Sequence, residues 1–175
     1  MVIASALAYL RDTEATRRQI EPENILHIVA IHIDYANRPE SGAEAAYVGR
    51  FCEEIGAKFI CRKIDEVTRG VTARDDYERI AREIRFDLYR QCCTEAASSG
   101  TTADGIGIML GHHRGDLREN VLSNAHKGCG PLDLSGMTEV SKNDGVNLFR
   151  PLLSLEKTYI YDYSHAYGVP YFKDT

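Results

Sequence analysis

Short apolar runs alternate along the chain with longer segments in which apolar residues recur at helical spacing. The runs predict strands, and their nearly unbroken apolar character is typical of parallel strands buried on both faces. These strands are expected at residues 25–33, 58–64, 106–110 and 146–149. The other segments predict helices at residues 1–10, 41–55, 75–93, 114–126 and 155–167. Because strands and helices alternate, we expect an α/β fold with a doubly wound parallel sheet and helices on both faces.

Local signals predict where several helices begin and end. The segment Ser41–Glu44 has the Ser-x-x-Glu form of a capping box, and Gly56 follows the helix that it opens. Thr72 is placed to cap the third helix, and Gly168 is placed to end the last one. The small and polar residues 95–104 predict a loop.

Composition narrows the class of protein. A length of 175 residues favours a single domain with room for a core. No apolar run is long enough to span a membrane, and the first residues do not form a convincing signal peptide, so we expect a cytoplasmic or organellar protein that is not secreted. The five cysteines lack Cys-x-x-Cys spacing, which argues against a zinc ribbon or a disulfide framework. A net charge of −5 is not typical of nucleic-acid binding but leaves a local basic patch open.

A dense group of functional side chains follows the third predicted strand. Gly111, His112 and His113 stand at the end of that strand, where α/β proteins place their ligands. Asp116 and Glu119 follow at i, i+3 spacing, which puts both carboxylates on one face of a helix. Together they could bind a substrate ammonium or Mg²⁺, although an acid at a helix N-terminus is also favoured by the helix dipole. His112, His113 and Asp116 could ligate a divalent ion, but adjacent histidines point to opposite faces of an extended backbone, so one ion can rarely use both and these residues are not predicted to form a metal site.

Two further groups are candidates with structural alternatives. Asp34, close to His32, ends the first predicted strand and would face a ligand, or it could simply form a turn. Arg82 and Arg85 lie one helical turn apart and could bind a phosphate or carboxylate, or they could be solvated surface charges.

In chain order, these motifs resemble one family. The matching segments are His32-x-Asp34, Ala81-Arg82-x-x-Arg85-Phe86, the cluster from Gly111 to Glu119, Gly128-x-Gly130, Leu134–Met137, Arg150–Leu153, and Gly168–Pro170 with Asp174. The pattern resembles the PP-loop ATPases of the tRNA(Ile)-lysidine synthetase type over essentially the whole chain. The sequences of residues 70–75 and 167–174 are similar to those of plant and protist members. The resemblance implies an adenine nucleotide alpha hydrolase-like fold.

The resemblance also implies a reaction. Such enzymes are ligases that use ATP and Mg²⁺ to adenylate a tRNA base, here the wobble cytidine of tRNA(Ile), and an amine such as lysine then displaces the adenylate. The partners would be tRNA and lysine, with a homodimer as one option for the oligomeric state. The implied roles are ATP binding for His32, Ile33, Asp34 and Gly111, catalysis for Arg82, Arg85 and His112, and amine binding for Asp116 and Glu119. Other PP-loop chemistry (tRNA thiolation), a non-catalytic nucleotide- or RNA-binding relative, and metal-dependent hydrolysis remain alternatives.

The chain also departs from this family. The Ser-Gly-Gly-x-Asp-Ser loop that grips pyrophosphate is absent, and residues 1–6 resemble the helix that follows it. We therefore expect residues 1–175 to be a partial N-terminal catalytic domain, truncated at both ends and inactive alone, in which the first strand and the PP-loop are missing. Within the cluster, Gly115, Leu117 and Asn120 stand where Asp, Gln and Thr are common.

Overall fold

The computed structural model describes residues 1–19, 26–98, 105–130 and 136–172. In chain order the elements are α1 (Val2–Arg18), β1 (Val29–Asp34), α2 (Ser41–Glu54), β2 (Lys58–Lys63), α3 (Arg74–Ser98), β3 (Ile108–Met109), α4 (Arg114–His126), β4 (Val140–Asn143), β5 (Val146–Phe149) and α5 (Lys157–Tyr167). The chain divides into two compact units. The first comprises Met1–Arg85 together with the chain from Val169, and the second is Phe86–Gly168.

The first unit is built on a parallel pair of strands. β1 pairs with β2 in a register that runs from Val29 opposite Lys58 to Asp34 opposite Lys63. One apolar cluster joins α1, α2 and the strands through Ala8, Ile28, Cys52 and Ala57. A second cluster joins the strand ends to the start of α3 through Ile64, Val67 and Ala81. These clusters hold the carboxyl end of β1 between packed helices.

The second unit contains a three-stranded mixed sheet in the order β3-β5-β4. β3 and β5 run parallel, whereas β4 and β5 are antiparallel. Val146 and Leu148 of β5 are almost completely buried, so this central strand carries the core of the sheet. Gly107 is required beside it, because a Cβ there would lie 2.2 Å from the Phe149 ring.

The predicted element order is confirmed, with changes at several ends. α4 and β5 have the predicted bounds, and β2 differs by one residue. β1 begins only at Val29, and residue 25 lies outside the described part of the chain. α3 continues to Ser98, so the loop predicted from residue 95 is wrong for its first residues, and 99–104 are not described. Within this extension the Thr94 and Ser98 hydroxyls donate to carbonyls one turn earlier, so these polar side chains are accommodated inside the helix instead of ending it.

The predicted capping signals before α2 and α3 are wrong. Glu40, not Ser41, is the N-cap of α2 and makes no side-chain cap. The Glu44 carboxylate instead pairs with Arg38 at 2.8 Å. The Thr72 hydroxyl accepts a bond from the Thr68 N–H at 3.1 Å, within the turn before α3.

The α/β class with parallel strand pairing and helices is confirmed, but two features were not predicted. The described strands form two sheets, and β4 adds an antiparallel hairpin to the second. Asp144 and Gly145 connect β4 to β5 with φ of +49° and +81°, the paired positive values of a type I′ turn. β1 is also less buried than its apolar sequence predicts, since only Asp34 in it is buried. None of the described helices is long and apolar enough to cross a membrane.

Candidate functional site

In the first unit, Asp34 forms the buried end of β1. Asp34 is only 6% exposed, and its Oδ1 accepts a 2.8 Å hydrogen bond from the Ala36 N–H. Ala36 has φ of +49°, a turn conformation that aims this N–H back at the strand end. The Ala36 N–H holds the pKa of Asp34 below its usual value against the opposing effect of burial, aided by the Ser41 hydroxyl. The predicted turn is therefore present, and it keeps Asp34 ionised.

The two arginines of α3 differ in their surroundings. Arg85 is half-buried and donates from Nη1 to the Tyr35 hydroxyl at 3.1 Å. Tyr35 also packs against the apolar cluster of Ile64, Val67 and Ala81, so it links Arg85 to the strand end that carries Asp34. Arg82 lies on the exposed surface of the helix. Sequence reasoning missed Tyr35, whose only signal was its place directly after the strand.

The other two residues assigned to ATP in this unit alternate along β1. The Ile33 side chain packs with the cluster of Ile64 and Ala81. The His32 ring instead lies 6.3 Å from the Phe59 ring, centroid to centroid, on the side of the other cluster. Since the Ile33 side chain belongs to the core, its backbone is what remains for a ligand, and the assigned roles stay predictions.

In the second unit, His113 caps α4. Its Nδ1 accepts from the Gly115 N–H at 3.0 Å, and its own N–H donates to Asp116 Oδ2 at 2.7 Å. A Cβ on residue 115 would lie 2.7 Å from the His113 ring, so glycine is needed here for the cap to close. This explains one of the departures seen in the cluster. The structural alternative for Asp116, stabilisation of a helix N-terminus, is confirmed in the form of this capping box.

Asp116 and Glu119 share the first turns of α4. Glu119 is exposed, and the Asp116 side chain is 37% exposed. An ionised carboxylate accepts about four hydrogen bonds, so the bond from the His113 N–H leaves Asp116 with capacity for a ligand. The cap also fixes the Asp116 rotamer. The amine-binding role of the pair stays a prediction.

His112 contacts a residue that the sequence analysis noted only as part of a motif. Arg150 Nε donates to His112 Nδ1 at 3.3 Å, and the arginine is 7% exposed. Its Nη1 donates to the Thr138 carbonyl at 2.8 Å and to Ser141 Oγ at 3.0 Å. In the sequence, Arg150 could have been singled out by its position directly after the apolar strand β5. Gly111, the neighbouring candidate, is exposed and has open space around it.

Glu156, at the start of α5, joins the two helices of this region. It pairs with Arg114 at 3.4 Å and with Arg118 at 2.7 Å. The Arg118 hydrogen bond lowers the pKa of Glu156, with a further contribution from Arg114. The Arg114 N–H donates to the Leu155 carbonyl at 2.9 Å, so the first amide of α4 is also satisfied by this segment.

Comparison with protein families decides the class. The model of the PP-loop domain matches residues 3–175, which is nearly the entire chain. The chain belongs to the PP-loop domain family.

Curated relatives of this PP-loop domain include tRNA(Ile)-lysidine synthases. That of Chlamydia muridarum is 31% identical over 149 residues, covering 85% of this chain and 44% of the relative. That of a Thermotoga species is 27% identical over 157 residues, covering 90% of this chain and 35% of the relative. The predicted resemblance to PP-loop ATPases of the lysidine synthetase type is confirmed. The chain spans less than half the length of these relatives, and the closer likeness to plant and protist members stays a prediction.

A solved structure shows the same fold. The U34-tRNA thiolase NcsA from Methanococcus maripaludis, determined with its [4Fe-4S] cluster, superposes with a TM-score of 0.60. The superposition covers 97% of this chain and 56% of the thiolase chain, at 18% sequence identity. At this identity the likeness shows a shared fold only.

The described part of this PP-loop domain has no group of three or more His, Cys, Asp or Glu side chains arranged to hold a metal ion. Of the motif residues behind the family resemblance, Leu134, Ser135 and Asp174 lie outside that part. Gly136, from the same motif as Leu134, lies against α4, where a Cβ would be 1.8 Å from Asn120 Oδ1. Asn120, one of the positions at which the cluster departs from the family pattern, therefore lies close to the backbone of Gly136.

Proposed function

We propose that this PP-loop domain uses ATP to activate a base of tRNA, the wobble cytidine of tRNA(Ile), for attack by an amine such as lysine. The observation that carries the proposal is the strand-to-helix cluster in which His112 ends the β3 segment and Asp116 and Glu119 follow on the first turns of α4. Its support comes from a family match over nearly the whole chain and from relatives that are tRNA(Ile)-lysidine synthases.

The reaction has two steps that balance. A base oxygen attacks the α-phosphorus of ATP, and pyrophosphate leaves with the electrons of the broken P–O bond. The amine nitrogen then attacks the activated ring carbon, AMP departs with the former base oxygen, and the amine loses a proton. Negative charge grows on phosphate oxygens in the first step, which a cationic side chain stabilises. Mg²⁺ would accompany ATP through its phosphates, as is usual for this ion.

The first unit offers the charges suited to the nucleotide. Asp34 is fixed at the β1 end by the Ala36 N–H, and Arg85 is held half-buried by Tyr35. We assign ATP to this strand end, including His32 and the Ile33 backbone, whereas the ATP-binding role of Gly111 stays a prediction from the sequence. Arg85 is the better candidate for the transition-state cation, since a pre-positioned guanidinium loses less side-chain freedom when it binds an anion.

The second unit offers the charges suited to the amine. A protonated amino group of lysine carries three N–H donors and no acceptor, and two carboxylates match that demand. The other amino group of lysine, in its neutral form, is the one that attacks the activated carbon. Asp116 is held in one orientation by its bond from the His113 N–H, whereas the exposed Glu119 is adjustable. We therefore assign the fixed contact with the ammonium to Asp116 and the adapting contact to Glu119.

The test is tRNA-dependent exchange of pyrophosphate into ATP by the full-length protein. Exchange that requires tRNA but not lysine is expected, because activation of the base precedes the attack of the amine. Nucleoside mass analysis after addition of ATP and lysine should show a cytidine gain of one lysine minus water. Absence of tRNA-dependent exchange would reject the proposal. Replacement of a base oxygen by sulfur would instead favour thiolation, and tRNA or ATP binding without pyrophosphate release would favour a non-catalytic relative.

Glu119→Gln tests the amine site separately. We expect the KM for lysine to rise about tenfold, the effect of losing one charge-assisted contact of about 1.4 kcal/mol, while lysine-independent exchange is unchanged. Glu95→Gln, on the exposed surface of α3 in the same unit, is the matched control and should alter neither quantity. A variant that lost exchange and lysine use equally would contradict the assignment.

A tRNA-modifying role also bears on location. Since tRNA is handled in the cytoplasm and in organelles with their own translation, we propose one of these compartments for the protein.

A further inference from the structure

Arg150 is a buried cation that is held by neutral groups. It is 7% exposed, and its acceptors are the Thr138 carbonyl, the Ser141 hydroxyl and His112 Nδ1. Among the residues that the structure describes, no carboxylate pairs with it. Removing a charge from water without an opposite charge beside it is costly. A buried arginine in such a place needs a reason beyond packing.

The topology of the sheet brings Arg150 to His112. β3 and β5 are parallel neighbours, and the Leu110 N–H donates to the Phe149 carbonyl at 2.8 Å just beyond the paired residues. His112 follows β3 and Arg150 follows β5, so both lie at the same edge of the sheet. The β4–β5 hairpin supplies Ser141, which holds Nη1 and thereby sets the direction of the guanidinium.

The bond to His112 has a defined direction. A guanidinium can only donate, and it stays protonated at any relevant pH. His112 Nδ1 must therefore accept, which requires that this nitrogen carry no proton. A neutral imidazole with an accepting Nδ1 bears its proton on Nε2. Protonation of Nδ1 would break the 3.3 Å bond and set two cations side by side in a poorly solvated place.

We propose that Arg150 is a positioning residue that holds His112 as the neutral Nε2–H tautomer. His112 then offers a hydrogen-bond donor at the end of the β3 segment, and Nε2 in this form is unable to accept a proton. Where the proposed function holds, His112 stabilises negative charge on a phosphate or base oxygen, and it is not the base that deprotonates the amine. The tautomer is inferred from the contact with Arg150 and not from the proposed function.

Nitrogen NMR of the histidine rings tests the tautomer directly. In the full chain labelled with ¹⁵N-histidine, one of six rings is assigned to His112 by its disappearance in His112→Gln. We expect an unprotonated Nδ1 and a protonated Nε2 for this ring in the unsubstituted protein at neutral pH. A proton on Nδ1, or a cationic ring, would overturn the proposal without any substitution at Arg150.

Substitutions then test the cause. Arg150→Met should leave His112 as a mixture of tautomers, whereas Arg150→Lys keeps a donor-only cation and should retain the single tautomer. Arg90→Met is the matched control, because Arg90 contacts the same hairpin at the Asp144 carbonyl, 3.5 Å away, and should leave the ring unchanged. An unaltered His112 spectrum in folded Arg150→Met would refute the role of Arg150.

Kinetics separate this proposal from the proposed function. For Arg150→Met we expect kcat of tRNA-dependent exchange to fall about 10- to 100-fold, as when the outer partner of a metal-bound histidine is removed. The KM for ATP should change by no more than about twofold, because the effect lies in the transition state. Arg150→Lys should recover part of kcat. If the unsubstituted protein shows no exchange, the proposed function fails while the tautomer result stands; if Arg150→Met loses the tautomer but keeps kcat, the positioning role fails.

Discussion

At the level of single residues, Asp34 and Asp116 share one arrangement. Each carboxylate accepts a hydrogen bond from a nearby backbone N–H, of Ala36 in one case and of His113 in the other. The bonds fix one carboxylate at the end of β1 and one in the first turn of α4 before any ligand arrives. Structural and ligand-binding roles are therefore compatible at these positions, since the bond that shapes the turn also orients the charge.

Asp34→Asn should reveal the stability contributed by this charge. The amide can still accept from the Ala36 N–H, but the bond loses its ionic character, so we expect a loss of about 1 kcal/mol at neutral pH. The folded-state pKa of Asp34 lies below the unfolded value of about 3.9. Its contribution is thus present above that unfolded value and is lost as the pH falls through the folded pKa.

Urea unfolding between neutral and strongly acidic pH measures this effect. The stability difference between the protein and Asp34→Asn should shrink in the acidic range, while Asp162→Asn controls for the removal of a carboxylate at an exposed position. A difference that stayed constant down to the lowest pH would show that the charge of Asp34 does not matter.

Gly115 and Gly42 form a matched pair, since each is the second residue of a helix. Gly42→Ala meets nothing within 4 Å and should stabilise α2 by up to about 1 kcal/mol. Gly115→Ala should lack this gain, because its methyl group would displace the His113 ring and break the cap. In a His113→Ala background the conflict is absent, and Gly115→Ala should then stabilise.

Chemical unfolding of the four variants at positions 113 and 115 gives the coupling between the two residues. We expect about 1 kcal/mol, the usual value of an N-cap. Additive effects would show that a methyl group at position 115 does not disturb the His113 cap.

At the level of elements, sequence patterning predicted the helices better than the strands. α4 was predicted at its observed bounds because a strand, a glycine corner and a helical pattern follow one another directly. β4 was missed, since its sequence Val-Ser-Lys-Asn carries too little apolar alternation to signal a strand. The Asp144-Gly145 pair was a readable hairpin signal.

The candidate site was predictable in part. The strand ends that carry Asp34 and His112 could be located, because the apolar runs mark where strands stop. Arg150 could not be connected to His112 from the sequence, since that contact depends on β3 pairing with β5 across 38 positions. Tyr35 and Arg85 meet across an even longer separation of 50. Contacts of this kind come from the packing of elements and leave no local pattern.

Gly145→Ala tests how much the hairpin depends on its turn. With φ of +81° at this position, a side chain is strained, and we expect a loss of about 1 kcal/mol in unfolding free energy. Gly145→Asn should cost less, because asparagine tolerates the left-handed region better than alanine. Equal stability of the alanine variant and the unsubstituted protein, measured by urea unfolding, would show that the turn relaxes freely.

For the whole molecule, the charge balance conflicts with the usual appearance of a tRNA-binding protein. Lys and Arg total 21 against 26 Asp and Glu, which gives a net charge of −5. Many arginines are also paired with acids on the surface, among them Arg38, Arg74, Arg79 and Arg118. An acidic net charge attracts RNA phosphates weakly, so discrimination between tRNAs would have to come from contacts with the base.

For the proposed tRNA binding, the dependence of affinity on salt follows from this charge balance. A protein that contacts 6–10 phosphates loses about 10³- to 10⁵-fold in affinity between about 50 and 200 mM salt. If this chain makes about two such contacts, the loss should be about tenfold, because each contact contributes a fixed slope in log affinity against log salt. Filter binding of tRNA(Ile) across that range measures the slope. A thousandfold or greater loss of affinity would show a basic surface that the charge pattern does not predict. A shallow slope, together with weaker binding of a tRNA that carries another wobble base, would identify the base as the main determinant of binding.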